Sequence, residues 1–137
     1  MLFRSRSSDR AALTALDAGF QKALDVALAE ENDRWNNRGR LTLQKTLVGS
    51  RPAGRTSEDT PIVQAAVSVT SALGLRASLG DGSTDANIAM SLGIPAITID
   101  GGGSETGTHT PAETFDTTNS WQGTARAVLL AVALSSR

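Results

Sequence analysis

The sequence predicts an α/β fold assembled from two pieces. Three observations carry that reading. Residues 1–48 show strand-like, helix-like and strand-like patterns in turn, and residues 61–137 run helix–strand–helix–strand–loop–helix. Between them lies "GSRPAGRTSEDT" (49–60), polar and punctuated by Gly and Pro, which reads as a linker or hinge. Charge changes sign at the same place: residues 1–55 hold ten Lys/Arg against six Asp/Glu, and residues 56–137 hold three against eight. Alternation of helix and strand in the second piece is the pattern of a mostly parallel sheet. That piece is too short for a complete doubly wound domain, so its sheet and helices call for further neighbours.

Each element has its own signal. "MLFRSRS" alternates weakly and predicts a short strand. Ser7, Ser8 or Asp9 offers a helix cap. Apolar residues then recur at Leu13, Leu16, Phe20, Leu24, Ala27 and Leu28, the stripe of a long amphipathic helix. "NNRG" is a turn. "RLTLQKTLV" puts Leu41, Leu43 and Leu47 on one face and Thr42, Gln44 and Thr46 on the other, a half-buried strand.

In the second piece, Pro61 suits the first turn of the helix "PIVQAAVSVTSALG", with Ile62, Ala65, Ala66, Val69 and Leu73 as its stripe and Gly74 as its stop. "LRASLG" predicts a short strand, and "STDANIAMSLG" a short helix closed by Gly93. "IPAITID" predicts a strand buried on both faces. The last helix is apolar at every position from Ala127 to Leu134, so the expectation is burial on nearly all sides.

Composition bounds the function. The chain has 137 residues, 39% hydrophobic and 20% charged, with a formal net charge of −1. Nothing in that balance asks for nucleic acid. No apolar run reaches the ~20 residues of a membrane span, and the start lacks the apolar core of a secretory signal. There is no cysteine, which removes disulfides, thiolate metal sites and cysteine nucleophiles together and is compatible with a cytoplasmic protein.

Two stretches carry chemistry. "GDGSTDAN" (80–87) begins like a dinucleotide turn, but Asp85 stands where a third glycine is expected, and a carboxylate is a poor neighbour for a pyrophosphate. A tight turn with Ser83 or Thr84 capping the next helix accounts for the same residues. "IDGGGSETGTHTPAETF" follows the expected strand at its carboxyl end, the edge where open α/β sheets bind ligands. It holds the only histidine, His109. Zinc needs three or four protein ligands; Asp100, Glu105, Glu113 and Asp116 supply oxygens, but their spacing demands no metal. A Ser104–His109–Asp triad through Asp100 or Asp116 lacks the nucleophile-elbow pattern around Ser104. An anion site at the 80–84 and 101–103 turns lacks basic residues. On these residues alone, ligand, base and ordinary loop residue all stay open for His109.

The order of these motifs resembles the C-terminal end of a di-zinc metallopeptidase family. That family includes tripeptide aminopeptidase, acetylornithine deacetylase, succinyl-diaminopimelate desuccinylase and aminoacylase. The resemblance rests on Ser83-Thr84-Asp85-Ala86-Asn87, then Gly93-Ile94-Pro95, then Gly101 to Gly103, then His109 with Glu113 four residues on. It implies zinc as cofactor, His109 as one ligand, and hydrolysis of peptide or N-acyl amide bonds. It also implies that Asn87, Gly101, Gly102 and Gly103 face substrate, while Thr84 and Asp85 fix the turn. By the same resemblance, residues 1–48 are the second β-α-β half of a ferredoxin-like lid domain, residues 49–60 the crossing, and residues 61–137 the C-terminal part of the catalytic α/β sheet domain.

The family's remaining ligands, its bridging carboxylate and its Glu base have no counterpart in this sequence. The expectation is therefore a portion of such an enzyme, inactive as this chain alone. Its unpaired lid strand implies a partner, either a second copy in a dimer or an N-terminal portion. An assembly module without catalysis is the alternative.

Overall fold

The structure is a computed structural model, described here for residues 3–136. It is a mixed helical fold with one small antiparallel sheet, compatible with the α/β class. Helix α1 spans Arg10–Arg34. Asp9 is its cap, with the side chain accepting from the Ala12 N–H at 2.8 Å. Leu13, Phe20, Leu24 and Leu28 of the expected stripe are half-buried, but no residue of α1 is fully buried. Phe3 stacks on Phe20 with ring centroids 3.7 Å apart. The turn after α1 uses left-handed backbone at Asn36, Asn37 and Gly39, residue types that tolerate it.

Residues 40–48 run along α1 without forming a strand. The Leu41 N–H donates to Asn32 Oδ1 at 2.7 Å, Asn32 Nδ2 donates to the Leu41 carbonyl at 3.2 Å, and Lys45 pairs with Asp25 at 2.7 Å. Leu47 and Val48 stay exposed, at 82% and 78%. Residues 49–60 are held against the second piece. Arg51 Nη1 donates to the Ser83 carbonyl at 2.7 Å, and Thr56 Oγ1 both donates to the Ala96 carbonyl at 2.6 Å and accepts from the Ala96 N–H at 3.1 Å. Gly54 lies so close to Met90 that an added Cβ would sit 2.5 Å from the Met90 Cβ.

Helix α2 spans Pro61–Ala72 and starts on its proline as expected. Gly74 follows at φ +74°. Helix α3 is one short segment, Ala86–Ser91, stopped by Gly93 at φ +78°. Strands β1 (Ser104–Thr106) and β2 (Thr114–Asp116) form a hairpin that pairs Ser104 with Asp116 and Thr106 with Thr114. Helix α4 (Trp121–Ser135) packs on α2. Val63, Ala65 and Val69 of α2, Leu130 of α4 and Ala53 form the core.

Several expectations fail. Among the described residues, none of the stretches at 3–7, 40–48, 75–80 or 94–100 is a strand; Met1 and Leu2 of the first lie outside them. "IPAITID" is not buried on both faces: Ile94 is 55% exposed. The reason is pairing. A strand needs a neighbour for its N–H and C=O groups, and these stretches find none along their length. Thr56 and Thr98 supply side-chain bonds instead, the latter through Thr84 Oγ1 at 2.6 Å. Nor is α4 enclosed. Gly123, Arg126 and Leu130 are buried on one stripe, while Val128, Leu129 and Val132 face outward. The α2 stripe is turned slightly, with Val63 and Thr70 buried beside Ala65 and Val69.

Gly123 shows where packing is tightest. A Cβ there would fall inside the van der Waals surface of the Gly101 carbonyl. Gly123→Ala should therefore destabilise the fold by about 1–3 kcal/mol through overpacking. Urea unfolding checks this: the midpoint should drop with the slope unchanged.

Candidate functional site

The residues singled out by sequence fall in three neighbouring groups. The first is the 83–87 turn. Asn87 Oδ1 accepts from the Thr84 N–H at 2.8 Å, so Asn87 fixes this turn from within. Thr84 Oγ1 reaches Thr98, and Asp85 takes Arg51 Nη2 at 3.2 Å. Asp85, not Ser83 or Thr84, is the residue preceding α3, and its side chain makes no capping bond.

The second group is the glycine run. Gly102 and Gly103 adopt φ +73° and +75°. A Cβ on Gly102 would lie 2.7 Å from the Ser120 carbonyl, and one on Gly103 2.6 Å from the Asp116 carbonyl. Gly102 therefore permits the protein's own backbone to close over the start of α4, and Gly103 permits it to close over β2, while a Cβ on Gly101 would meet nothing. The Asp100 side chain caps the run by accepting from the Gly102 N–H at 2.9 Å.

The third group is the loop of the β1–β2 hairpin. His109 sits at φ +65°, exposed, in left-handed backbone that histidine enters more readily than most residues. Its backbone N–H donates to Glu113 Oε2 at 2.7 Å. Glu113, two residues before Phe115, the strand partner of Glu105, also faces Glu105. The hydrogen bond to Glu113 raises Glu105 above the ordinary glutamate value, while the His109 N–H holds Glu113 below it. His109, Glu105 and Glu113 are three of the metal-type donors that the sequence offers, beside Asp100 and Asp116. Among the described residues, however, no three His, Cys, Asp or Glu side chains are arranged to hold a metal ion. Glu113 is engaged by the loop itself. The donors present among the described residues do not by themselves make a zinc-pair site.

Sequence reasoning missed a different constellation. Arg126 of α4 is buried, its side chain 8% exposed, and Nη1 pairs with Asp100 Oδ2. Its Nε is buried without a partner. The Arg126 contact draws Asp100 below the usual carboxylate value, with help from the Gly102 N–H. Beside the pair lies an open cleft of about 450 Å³, lined among others by Arg76, Asp116, Asn119 and Gln122. Asp116 is also held below its ordinary value, first by the Thr118 N–H at 2.9 Å. The available signal was Arg126 itself: it is the sole charge in "WQGTARAVLLAVALS", and a lone guanidinium in an apolar helix needs an acid elsewhere.

No family model matches this chain, and no curated protein aligns with it. No helix among the described residues is long and apolar enough to cross a membrane.

Two predictions follow from these charges. Asp100→Ala leaves a buried guanidinium without its acid and should cost about 1–3 kcal/mol, read by urea unfolding. The native carboxylate is favoured, so its contribution is present above the unfolded aspartate pKa and fades as pH falls through the lower folded value. The Ala variant should lose that acid-side slope. Glu105 has the opposite sign: its contribution is present below the unfolded glutamate pKa and lost as pH rises through the raised folded value. Glu105→Gln keeps a donor toward Glu113 without the proton, so a pH titration of the hairpin amides by NMR should flatten on that limb.

Proposed function

We propose that this chain is the C-terminal portion of a zinc-dependent metallopeptidase or amidohydrolase acting on peptide or N-acyl amide bonds. His109 supplies one imidazole, and the remaining ligands and the general base come from residues this sequence does not hold. The observation that supports the reading most is the setting of His109. It lies at the tip of an ordered hairpin that leaves the tightly packed glycine turn after residue 100, in left-handed backbone, with Glu113 fastened to its own N–H. That arrangement presents an exposed ring from a stiffened loop, which is what a contributed ligand requires. Asn87 and the glycines at 101–103 remain the substrate-side candidates by resemblance. Their described bonds are internal, so any contact with substrate is made by backbone or by the free side of the Asn87 amide.

On this reading the chain alone does not hydrolyse dipeptides, with or without added zinc or cobalt. The test pairs it with an in-frame extension carrying a His-x-Asp and a Glu-Glu motif. The combined protein should show zinc-dependent dipeptide or N-acyl amino acid hydrolysis, lost in His109→Asn. Asn is the suitable replacement because it tolerates positive φ. Hydrolysis that survives this substitution, or turnover by the chain alone that depends on His109, overturns the reading.

A second reading has its own support. Helix α1 buries no residue along its 25, and the 40–48 segment beside it keeps Leu41, Leu43, Leu47 and Val48 exposed. Such a face suits a non-catalytic module that assembles as a dimer. Light scattering should then give twice the chain mass; a monodisperse monomer across concentrations counts against it.

A further inference from the structure

We propose that Asp81–Gly82 is a site of spontaneous modification, where aspartate converts through a cyclic imide to isoaspartate, and that the fold spares the chain's other Asp–Gly pair, Asp100–Gly101. Neither pair includes His109, Glu105 or Glu113, so the inference stands apart from the zinc reading.

The chemistry needs only the chain and water. The amide nitrogen of the following residue attacks the aspartate Cγ and forms a C–N bond. The carboxyl hydroxyl and the amide hydrogen leave as water, which closes a five-membered ring. Water then reopens the ring at one of its two carbonyls. Opening at the former main-chain carbonyl leaves the chain running through Cγ, with a free α-carboxyl and unchanged mass. A following glycine favours the attack, because no Cβ stands beside the nitrogen and the backbone turns freely.

Structure separates the two pairs. Asp81 is exposed, and neither its carboxyl nor the backbone of residues 80–82 makes a hydrogen bond among the described residues. A Cβ on Gly80 would meet nothing, and one on Gly82 only Thr84 Cγ2 at 3.6 Å. Nothing on this stretch opposes the rotation that brings the Gly82 nitrogen onto Cγ. At Asp100 both carboxylate oxygens are engaged, Oδ2 by the buried Arg126 guanidinium and Oδ1 by the Gly102 N–H at 2.9 Å. These contacts favour the ionised form, which is a poor electrophile with no hydroxyl to lose. The Gly101 carbonyl is wedged against Gly123. Ring closure there has to break the contact that ties α4 to the glycine run. At residue 81 the change lengthens the main chain by one carbon just ahead of Ser83. The Ser83 carbonyl and hydroxyl accept from Arg51 Nη1 at 2.7 and 3.2 Å, so isomerisation loosens the hold of the 49–60 segment on the 83–87 turn.

Ageing the whole folded chain at mildly acidic pH tests this. The aged protein is denatured and digested with an endoprotease that cuts before aspartate but not before isoaspartate, and the peptides are read by mass spectrometry. The cut before residue 81 should be lost at least about tenfold faster than the cut before residue 100. In urea the two rates should converge, because both pairs then differ only in distant sequence. Gly82→Ala, which the structure has room for, should slow the loss at residue 81 by at least about tenfold. Equal loss of both cuts in the folded chain, retention of the cut before residue 81, a preference that persists in urea, or an unchanged rate in Gly82→Ala overturns the proposal.

Discussion

The contact between Asp100 and Arg126 organises the C-terminal part of this protein. Arg126 is the one charge on α4 and is buried there. It has to be met by an acid, because a guanidinium removed from water without one carries a heavy desolvation penalty. Asp100 meets it from the end of the 94–100 segment while keeping most of its own surface in solvent, 71% exposed. The same carboxylate accepts from Gly102. One side chain thus ties the apolar helix to the glycine run and fixes where the hairpin departs. The positions of the cleft and of His109 both follow from it.

Close backbone approach does the rest. Gly101 and Gly102 lie on Gly123 and Ser120, and Gly103 lies on Asp116. The Phe115 ring also lies against Gly103, so the loop is located by main-chain contact at Gly101 and Gly102 and by main chain and an aromatic ring at Gly103. The hydrophobic contribution around this point is small by comparison. Five apolar residues are buried among the described residues, and the outer face of α4 keeps Val128 and Val132 at 57% and 58% exposure. A helix of that composition leaves a contiguous apolar face in water.

Much of this was legible residue by residue. Asp9 caps α1, Pro61 opens α2, and Gly74 and Gly93 close their helices, because each of these depends on neighbours a few positions away. The strands were not. Alternation at Leu41, Leu43 and Leu47 reports which face is apolar, but a strand exists only when a second segment satisfies its backbone, and that partner is not encoded locally. The hairpin was missed for the converse reason. Residues 104–106 and 114–116 are short, polar and exposed, and they pair because the loop brings Thr106 to Thr114, where the hydroxyls meet at 2.7 Å. In the site, a glycine-rich loop around His109 could be anticipated, whereas the Asp100–Arg126 contact spans 26 positions and shows in the sequence only as a solitary arginine.

Helix α1 has one more consequence. With no fully buried side chain, its order rests on its cap, its length and contacts with segments that are themselves exposed. The 40–48 segment hangs on it through Asn32 and Asp25. These two therefore share a fate: they form a unit that can open while the α2–α4 core stays closed, in the manner of a low-stability foldon. Its opening would uncover backbone from both segments at once, making this the region where a protease first finds the chain and where a partner strand has least to displace.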